Sequence, residues 1–179
     1  EKQRTLGEIF VGFGTLFIGL SFMSAAIVPY REAPIFSEAF TVLGQNPILA
    51  ILAGAVVTGI IQSSSASVGI LQTLAINGIV TWNAAVYITL GQNIGTCITA
   101  MLSSIGANKN AKRAAVIHLM FNVMGAVVVG IAMFFVFTVQ RNFANSLVSA
   151  VQISIFHTIF NIVNTLLLLP FADYLVKLS

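Results

Sequence analysis

From Ala39 to Asn108 the chain carries no Asp, Glu, Lys or Arg, yet this stretch holds the hexapeptide Gln62-Ser63-Ser64-Ser65-Ala66-Ser67. A run so long and uncharged belongs in a bilayer. There every backbone polar group must be satisfied internally, which leaves only helices or closed barrels. Clustered hydroxyls and a carboxamide at that depth cost free energy unless they bind something or satisfy broken backbone. A buried polar site for a small solute is the first expectation.

Composition decides between the two architectures. Hydrophobic residues make up 58% of the chain, charged residues only 7%, and the mean hydropathy is +0.98, far from the roughly 25% charge of a soluble domain. Fourteen Gly and abundant Ala and Ser fit helices packed through small residues, whereas a barrel shows weak alternation over ten-residue strands. The fold class expected is all-α and polytopic. With 179 residues and about 20 per crossing, one transmembrane domain over residues 1–179 holds about five or six membrane segments. The single Cys97 excludes an internal disulfide, and a net charge of +3 reflects a few loop residues, not a nucleic-acid surface.

Along the chain, Leu6 to Val28 reads as a first crossing, ended by Pro29 and the polar stretch containing Arg31, Glu32 and Glu38. Lys2 and Arg4 before this run imitate a secretory signal, but the run is longer than a signal core, so a retained helix is expected. The chain begins with Glu1 and not Met, so a native start upstream, or trimming, is expected. Pro47 opens the apolar run Ile48 to Ile61, too short for a hydrocarbon core about 30 Å thick. The Ser cluster follows, then a second short run from Val68 to about Val80. Residues 47–80 thus read as a re-entrant hairpin whose polar tip must be surrounded by protein or a water-filled cavity. Two full crossings give the same parity; segment length and the polar tip favour the hairpin.

The span from about Ala84 to Ile105 is long enough, but Gly91-Gln92-Asn93-Ile94-Gly95-Thr96 lies near its middle. Two glycines around Gln and Asn predict local unwinding, a discontinuous helix over residues 84–105. Ala114 to Phe137 and Val148 to Phe171 cross again. Lys2, Arg4, Lys109, Lys112, Arg113 and Lys177 then share one face, with only Arg31 and Arg141 on the other, so both chain ends are expected in the cytoplasm. Tyr30 and Trp82 fall at the outer interface as aromatic anchors.

The chemistry follows from where the polar motifs stop one helix and start another. Ser63 to Ser65 are candidate N-caps of the second hairpin arm, and Asn93 of the resumed helix. Each helix N-terminus presents free N–H groups and about +0.5 of effective charge, an anion site without Arg or Lys. Two such ends supply about one unit of positive charge, so a multiply charged anion calls for co-bound cations. Hydroxyl and amide oxygens with unwound carbonyls suit a hard cation such as sodium. Cation-coupled anion transport is the reading these residues suggest.

TGIIQSSSAS at Thr58 to Ser67 and LGQNIGTCITA at Leu90 to Ala100 resemble the signature motifs of the type II sodium-dependent phosphate cotransporters. NPILAILAG, ILQTLA, AKRAAVIHLMFN from Ala111 and HTIFNIVNTLLLLP from His157 are similar to bacterial members. The resemblance implies a transporter and not an enzyme, working by alternating access, with two inverted repeats that each carry a QSSS hairpin and an NIGT-type element. This chain holds one of each and looks more like the second repeat. The complementary first repeat is then expected in the same parent chain or in a separate subunit. The resemblance also implies that Gln62, Ser63, Ser64 and Ser65, with Gln92, Asn93 and Thr96, line the phosphate and sodium site, sodium being held through Ser64, Ser65, Asn93 and Thr96. No cofactor is expected beyond these transported ligands. Thr58 is a weaker candidate.

His118 with Asn122, and His157 with Asn161, form a further internal echo, each pair four residues apart on one helix face. A scaffold role through hydrogen bonds between helices is expected more than a site-lining or proton-sensitive one, so Asn122, His157 and Asn161 are weaker candidates. Small residues Gly54, Gly59, Gly69, Gly125 and Gly130 are expected at close helix contacts. The alternatives are a non-transporting membrane scaffold, a symporter of another oxyanion, and an intramembrane serine hydrolase, the last disfavoured by the missing Gly-x-Ser-Gly setting around the serines.

Overall fold

The computed structural model describes residues 2–30 and 34–179, which fold into helices joined by short turns. Among the described residues there is no strand, only an isolated bridge between Thr81 and Leu147. The helices are α1 (Lys2–Ile27), α2 (Pro34–Gln45), α3 (Pro47–Ile61), α4 (Ser64–Ile76), α5 (Trp82–Ser103), α6 (Lys109–Val139), α7 (Arg141–Asn145), α8 (Ala150–Leu168) and α9 (Ala172–Leu178). Arg31, Glu32 and the side chains of Lys2 and Tyr30, which enter the charge and aromatic-anchor readings, lie outside what is described.

Among the described residues, four segments are long and apolar enough to cross a membrane: Arg4–Ala26, Trp82–Ser103, Lys109–Val139 and Ala150–Leu178. The bent pair α2–α3, turned by 116°, makes a fifth if it counts as one span. In the sequence, the polar residues around Pro34 mask helix α2. The bend follows from local chemistry: Asn46 is extended, its Oδ1 accepts from the Leu49 amide at 3.1 Å, and Pro47 occupies the first helical position. Similar caps set other starts. Asn108 accepts from the Ala111 amide, so α6 begins earlier than Ala114. Ser149 and Gln152 form a reciprocal capping box before α8.

Helices α3 and α4 are the arms of a hairpin. They contain 15 and 13 residues, about 22 and 20 Å, against a core of about 30 Å. Both arms have their free ends beside the start of α5: Asn83 Nδ2 donates to the Gly44 carbonyl, and the turn after α4 is tied to the segment before α8 by Val148 N to Val80 O (3.1 Å) and Trp82 N to Ser146 O (3.0 Å). The arms pack antiparallel, with Thr58 against Ser67.

The fold is organised around α5, in which 61% of the membrane-length window is buried, against none for α1 and 22% for α6. Val86, Tyr87, Leu90 and Cys97 are almost wholly enclosed. Helix α3 runs parallel to α5 at backbone distance. A Cβ on Gly54 would collide with the Ile88 carbonyl, one on Gly91 with the Ile51 carbonyl, and one on Gly95 with Ala55 and Thr58, all closer than 3.0 Å. This corrects the expected break at residues 84–105: α5 is helical without interruption from Trp82 to Ser103. Gly91 and Gly95 are there so that a neighbouring helix can touch the backbone, not so that the helix can unwind. Asn93, accordingly, is no N-cap; it sits in mid-helix.

Of the other glycines expected at close contacts, Gly59 meets the end of Ile98 and Gly125 meets the Asn164 carboxamide, but Gly69 and Gly130 face nothing nearer than 3.6 Å. Helices α6 and α8 flank α5, with Tyr87 near Gly130 and His157 near Asn93. Helix α1 leans on α4, where Asn77 donates to Ser24 at 3.2 Å, and is otherwise exposed. Arg113 reaches Val176 and Ser179, which gathers Lys109, Lys112, Arg113 and Lys177 at one end of the bundle, while Arg141 stands at the other. Replacing Gly91 with Val is expected to destabilise the protein by about 1–3 kcal/mol, the usual cost of overpacking. Gly69→Ala is expected to be neutral. Thermal melts in detergent compare the two, and equal melts would remove backbone contact from the account of α3 and α5.

Candidate functional site

The hairpin tip is built by one unusual residue and one cap. Gln62 ends α3 in the left-handed region (φ 56°, ψ 25°), its amide donating to the Thr58 carbonyl at 2.7 Å. It is the only non-glycine residue with positive φ among those described. Glycine takes this conformation freely, whereas a side chain there costs about 1–2 kcal/mol. Ser63 is extended, and its Oγ accepts from the Ala66 amide at 3.3 Å, so Ser63 is the N-cap of α4. Ser64 and Ser65, expected before the second arm, are instead its first two residues. No described residue accepts from their backbone amides. Gln62 and Ser65 are exposed, Ser63 and Ser64 half-buried. The tip is therefore a helix N-terminus with open donors, flanked by three hydroxyls and a carboxamide.

A second polar cluster lies deeper. Thr58 and Ser67 stand equally far from the turn between Gln62 and Ser63, and the antiparallel arms bring them together: Thr58 Oγ1 donates to Ser67 Oγ at 2.7 Å. Gln92 of α5 closes the cluster, its Nε2 donating to both the carbonyl and the Oγ of Ser67 at 3.0 Å. All three residues are buried. Gln92 Oε1 has no partner, and leaving such an acceptor unsatisfied costs about 1–3 kcal/mol. Beside it lies a cavity of about 130 Å³ lined by Ser67, Gln92 and apolar residues including Gly54 and Leu71. Ser67 was absent from the expected site residues. The signal that finds it is the hairpin's symmetry about its tip.

A third group joins α5 to α6 and α8. Asn93 donates to the Thr89 carbonyl at 2.9 Å, and its Oδ1 lies 3.3 Å from His157 Nε2. Thr96 donates back to the Gln92 carbonyl at 2.9 Å. Asn122 and Asn161 donate to the carbonyls of His118 and His157, each within its own helix. Of the two His–Asn pairs, only His157 reaches across to a predicted site residue.

The expected residues thus fall into levels. Gly91 packs at Ile51, Gly95 at Ala55 and Gly59 at Ile98, so Gln62 lies level with about residue 102. That is some nine residues beyond Asn93, or about 13 Å along the axis. Thr58 and Gln92 meet through Ser67, and Asn93 meets His157. No described hydrogen bond joins Gln62, Ser63, Ser64 or Ser65 to Gln92, Asn93 or Thr96.

The family profile described as Na+/Pi-cotransporter matches residues 33–164. The chain is 33% identical to the uncharacterized protein YqeW of Bacillus subtilis over 98% of its own length and 56% of the relative's. It is 30% identical to YjbB, a candidate inorganic phosphate export protein of Escherichia coli, over 99% of the chain and 32% of the relative. It is 31% identical to human sodium-dependent phosphate transport protein 2B over 72% of the chain and 21% of the relative. The chain therefore spans about half the length, or less, of these relatives. No solved structure matches it.

The buried cluster makes a prediction that does not depend on function. Thr58→Val and Ser67→Ala are each expected to lower stability by about 1 kcal/mol, the range for hydrogen bonds between membrane helices. The double variant should lose less than the sum of the two. A double-mutant cycle by denaturation in detergent that showed full additivity would dissolve the cluster into separate groups.

Proposed function

The chain belongs to the Na+/Pi-cotransporter family, and from that membership we propose that it supplies one half of a sodium-coupled symporter of inorganic phosphate. The observation that carries the reading is the tip at Gln62 to Ser65. A glutamine is held where glycine is cheaper, next to a helix N-terminus whose amides are open, in a segment without charge. Strain kept at one residue points to a side chain that is needed there. Phosphate fits the donors: the Ser64 and Ser65 amides, the hydroxyls of Ser63, Ser64 and Ser65, and the Gln62 carboxamide. The helix end offers about half a positive charge, well short of a phosphate, so sodium supplies the rest as co-transported cargo.

Sodium is assigned to the neutral oxygens, with Ser64 and Ser65 at the tip level and Asn93 and Thr96 at the deeper one, where Gln92 Oε1 is an unclaimed acceptor. Tip and Asn93 level are about 13 Å apart along the axis, so a common shell requires the hairpin to slide on α5 or the complementary repeat to provide the ligands between. The complementary first repeat, entering from the opposite side in the same parent chain or a separate subunit, encloses the site. The hairpin is re-entrant because its arms are too short to cross. The end bearing Lys109, Lys112, Arg113 and Lys177 faces the cytoplasm. Alternating access then exposes the site to either side as the hairpin unit moves against its scaffold.

Radioactive phosphate uptake into liposomes holding the parent protein, with and without an inward sodium gradient, tests this reading. Uptake is expected only with the gradient. Ser64→Ala and Asn93→Ala should raise the half-saturating phosphate or sodium concentration about tenfold, the loss of one charge-assisted hydrogen bond. Unchanged uptake in both leaves a scaffold. Gln62→Gly is expected to relieve about 1 kcal/mol of backbone strain while lowering uptake, a split that a structural role cannot produce. Orientation is read separately: in a Cys97→Ala background, an impermeant maleimide added outside cells should label Arg141→Cys and spare Lys109→Cys.

A further inference from the structure

At the end of the bundle opposite the hairpin tip, a cavity of about 500 Å³ opens between the α2–α3 bend, the start of α5, the end of α6 and α7. Its polar lining is Gln45, Asn83, Thr138, Arg141 and Asn145. Arg141 makes no ion pair with any described residue. Asn83 uses its amino group on the Gly44 carbonyl, and its Oδ1 is buried without a partner. Among the described residues, the cavity thus carries one exposed, unpaired cation and, within its wall, one buried acceptor that lacks a donor. It is also far larger than a lone phosphate.

The walls Pro47, Tyr87 and Phe134 are shared with a second hollow of about 330 Å³. This one is a groove between α3 and α6, lined by Ile51, Ala126, Val127, Gly130, Ile131 and Phe135. From Phe135 to Ala126 it follows α6 for about 13 Å. Gly130 leaves it open, since a Cβ there would meet only Leu90 at 3.6 Å. Trp82 and Phe143, ring centroids 4.9 Å apart, mark the polar end, where aromatic side chains sit at headgroup level. Polar cavity and apolar groove are therefore continuous, and stacked along the bundle as a headgroup and an acyl chain are stacked in one leaflet.

The geometry points to a bound anionic glycerophospholipid. Its phosphodiester pairs with Arg141, a headgroup hydroxyl donates to Asn83 Oδ1, and one acyl chain lies in the groove past Val127 and Gly130. Charge complementarity selects an anionic lipid, the buried, unpaired acceptor selects a headgroup with hydroxyls, and the groove selects a lipid over a soluble anion. Phosphatidylglycerol meets all three demands.

Native mass spectrometry of the full-length protein, extracted from phosphatidylcholine vesicles containing phosphatidylglycerol, tests this. The wild type is expected to retain phosphatidylglycerol in preference to phosphatidylcholine. Arg141→Gln should lower that retention about fivefold, as expected for one basic group at an anionic surface, and leave phosphatidylcholine unchanged. Val127→Trp, at an exposed position, should lower retention of both lipids by blocking the groove. Equal phosphatidylglycerol retention by wild type and Arg141→Gln would overturn the headgroup assignment, and full retention by Val127→Trp the acyl groove. Displacement of the lipid by inorganic phosphate or glycerol phosphate would make this a free-anion site instead.

Discussion

The contact of α3 with α5 is the constraint on which the rest of the structure depends. Gly54, Gly91 and Gly95 let two helix backbones touch over several turns, and in lipid such contact is what holds helices together, because apolar side chains gain nothing by leaving one hydrocarbon for another. With α3 fixed along α5, the short antiparallel arm α4 is carried against α5 as well. That places Thr58 and Ser67 over Gln92 and points the tip beyond them. A single methyl group at Gly91 would push α3 away and separate the hairpin from the helix that completes its polar cluster.

Polar groups in this bundle divide by how they are satisfied. Thr73, Asn77, Asn93, Thr96, Asn122, Asn161 and Thr165 all donate to the carbonyl four residues earlier. Such bonds make a hydroxyl or amide tolerable in a membrane helix and ask nothing of a ligand. Against that background, the groups left over stand out: the amides of Ser64 and Ser65, Gln92 Oε1 and Asn83 Oδ1. Thr89 Oγ1 is also buried without a partner, and no ligand or cavity accounts for it. The leftovers lie at three different levels of the bundle, from the hairpin tip through the Thr58–Ser67–Gln92 cluster to the cavity at the Arg141 end.

The hairpin was legible because its signals are local. Segment length, the proline at position 47, and serines before an apolar run each act within one turn, and Ser63 caps α4 as such a run predicts. Ser67 was in plain view but was read as part of a motif, when its distance from the turn was the useful fact. The discontinuous helix was misread because glycine beside Asn has two physical meanings, a place where backbone bends and a place where another backbone arrives. Nothing within residues 84–105 distinguishes them; Ile51 and Ala55, about forty residues away, do.

By itself, then, the amino-acid order determined that this is an all-helical membrane chain, where its short hairpin lies, how the helices begin, and which family motifs it bears. These follow from hydrocarbon thickness, backbone satisfaction and capping, all short-range in sequence. Tertiary structure alone decided that α5 stays whole, that Gln92 meets Ser67 while the tip stands about 13 Å past Asn93, and that Arg141 shares a cavity with Asn83. The reason is that close packing sets which backbone lies against which, and that choice is made between helices, where no local pattern records it.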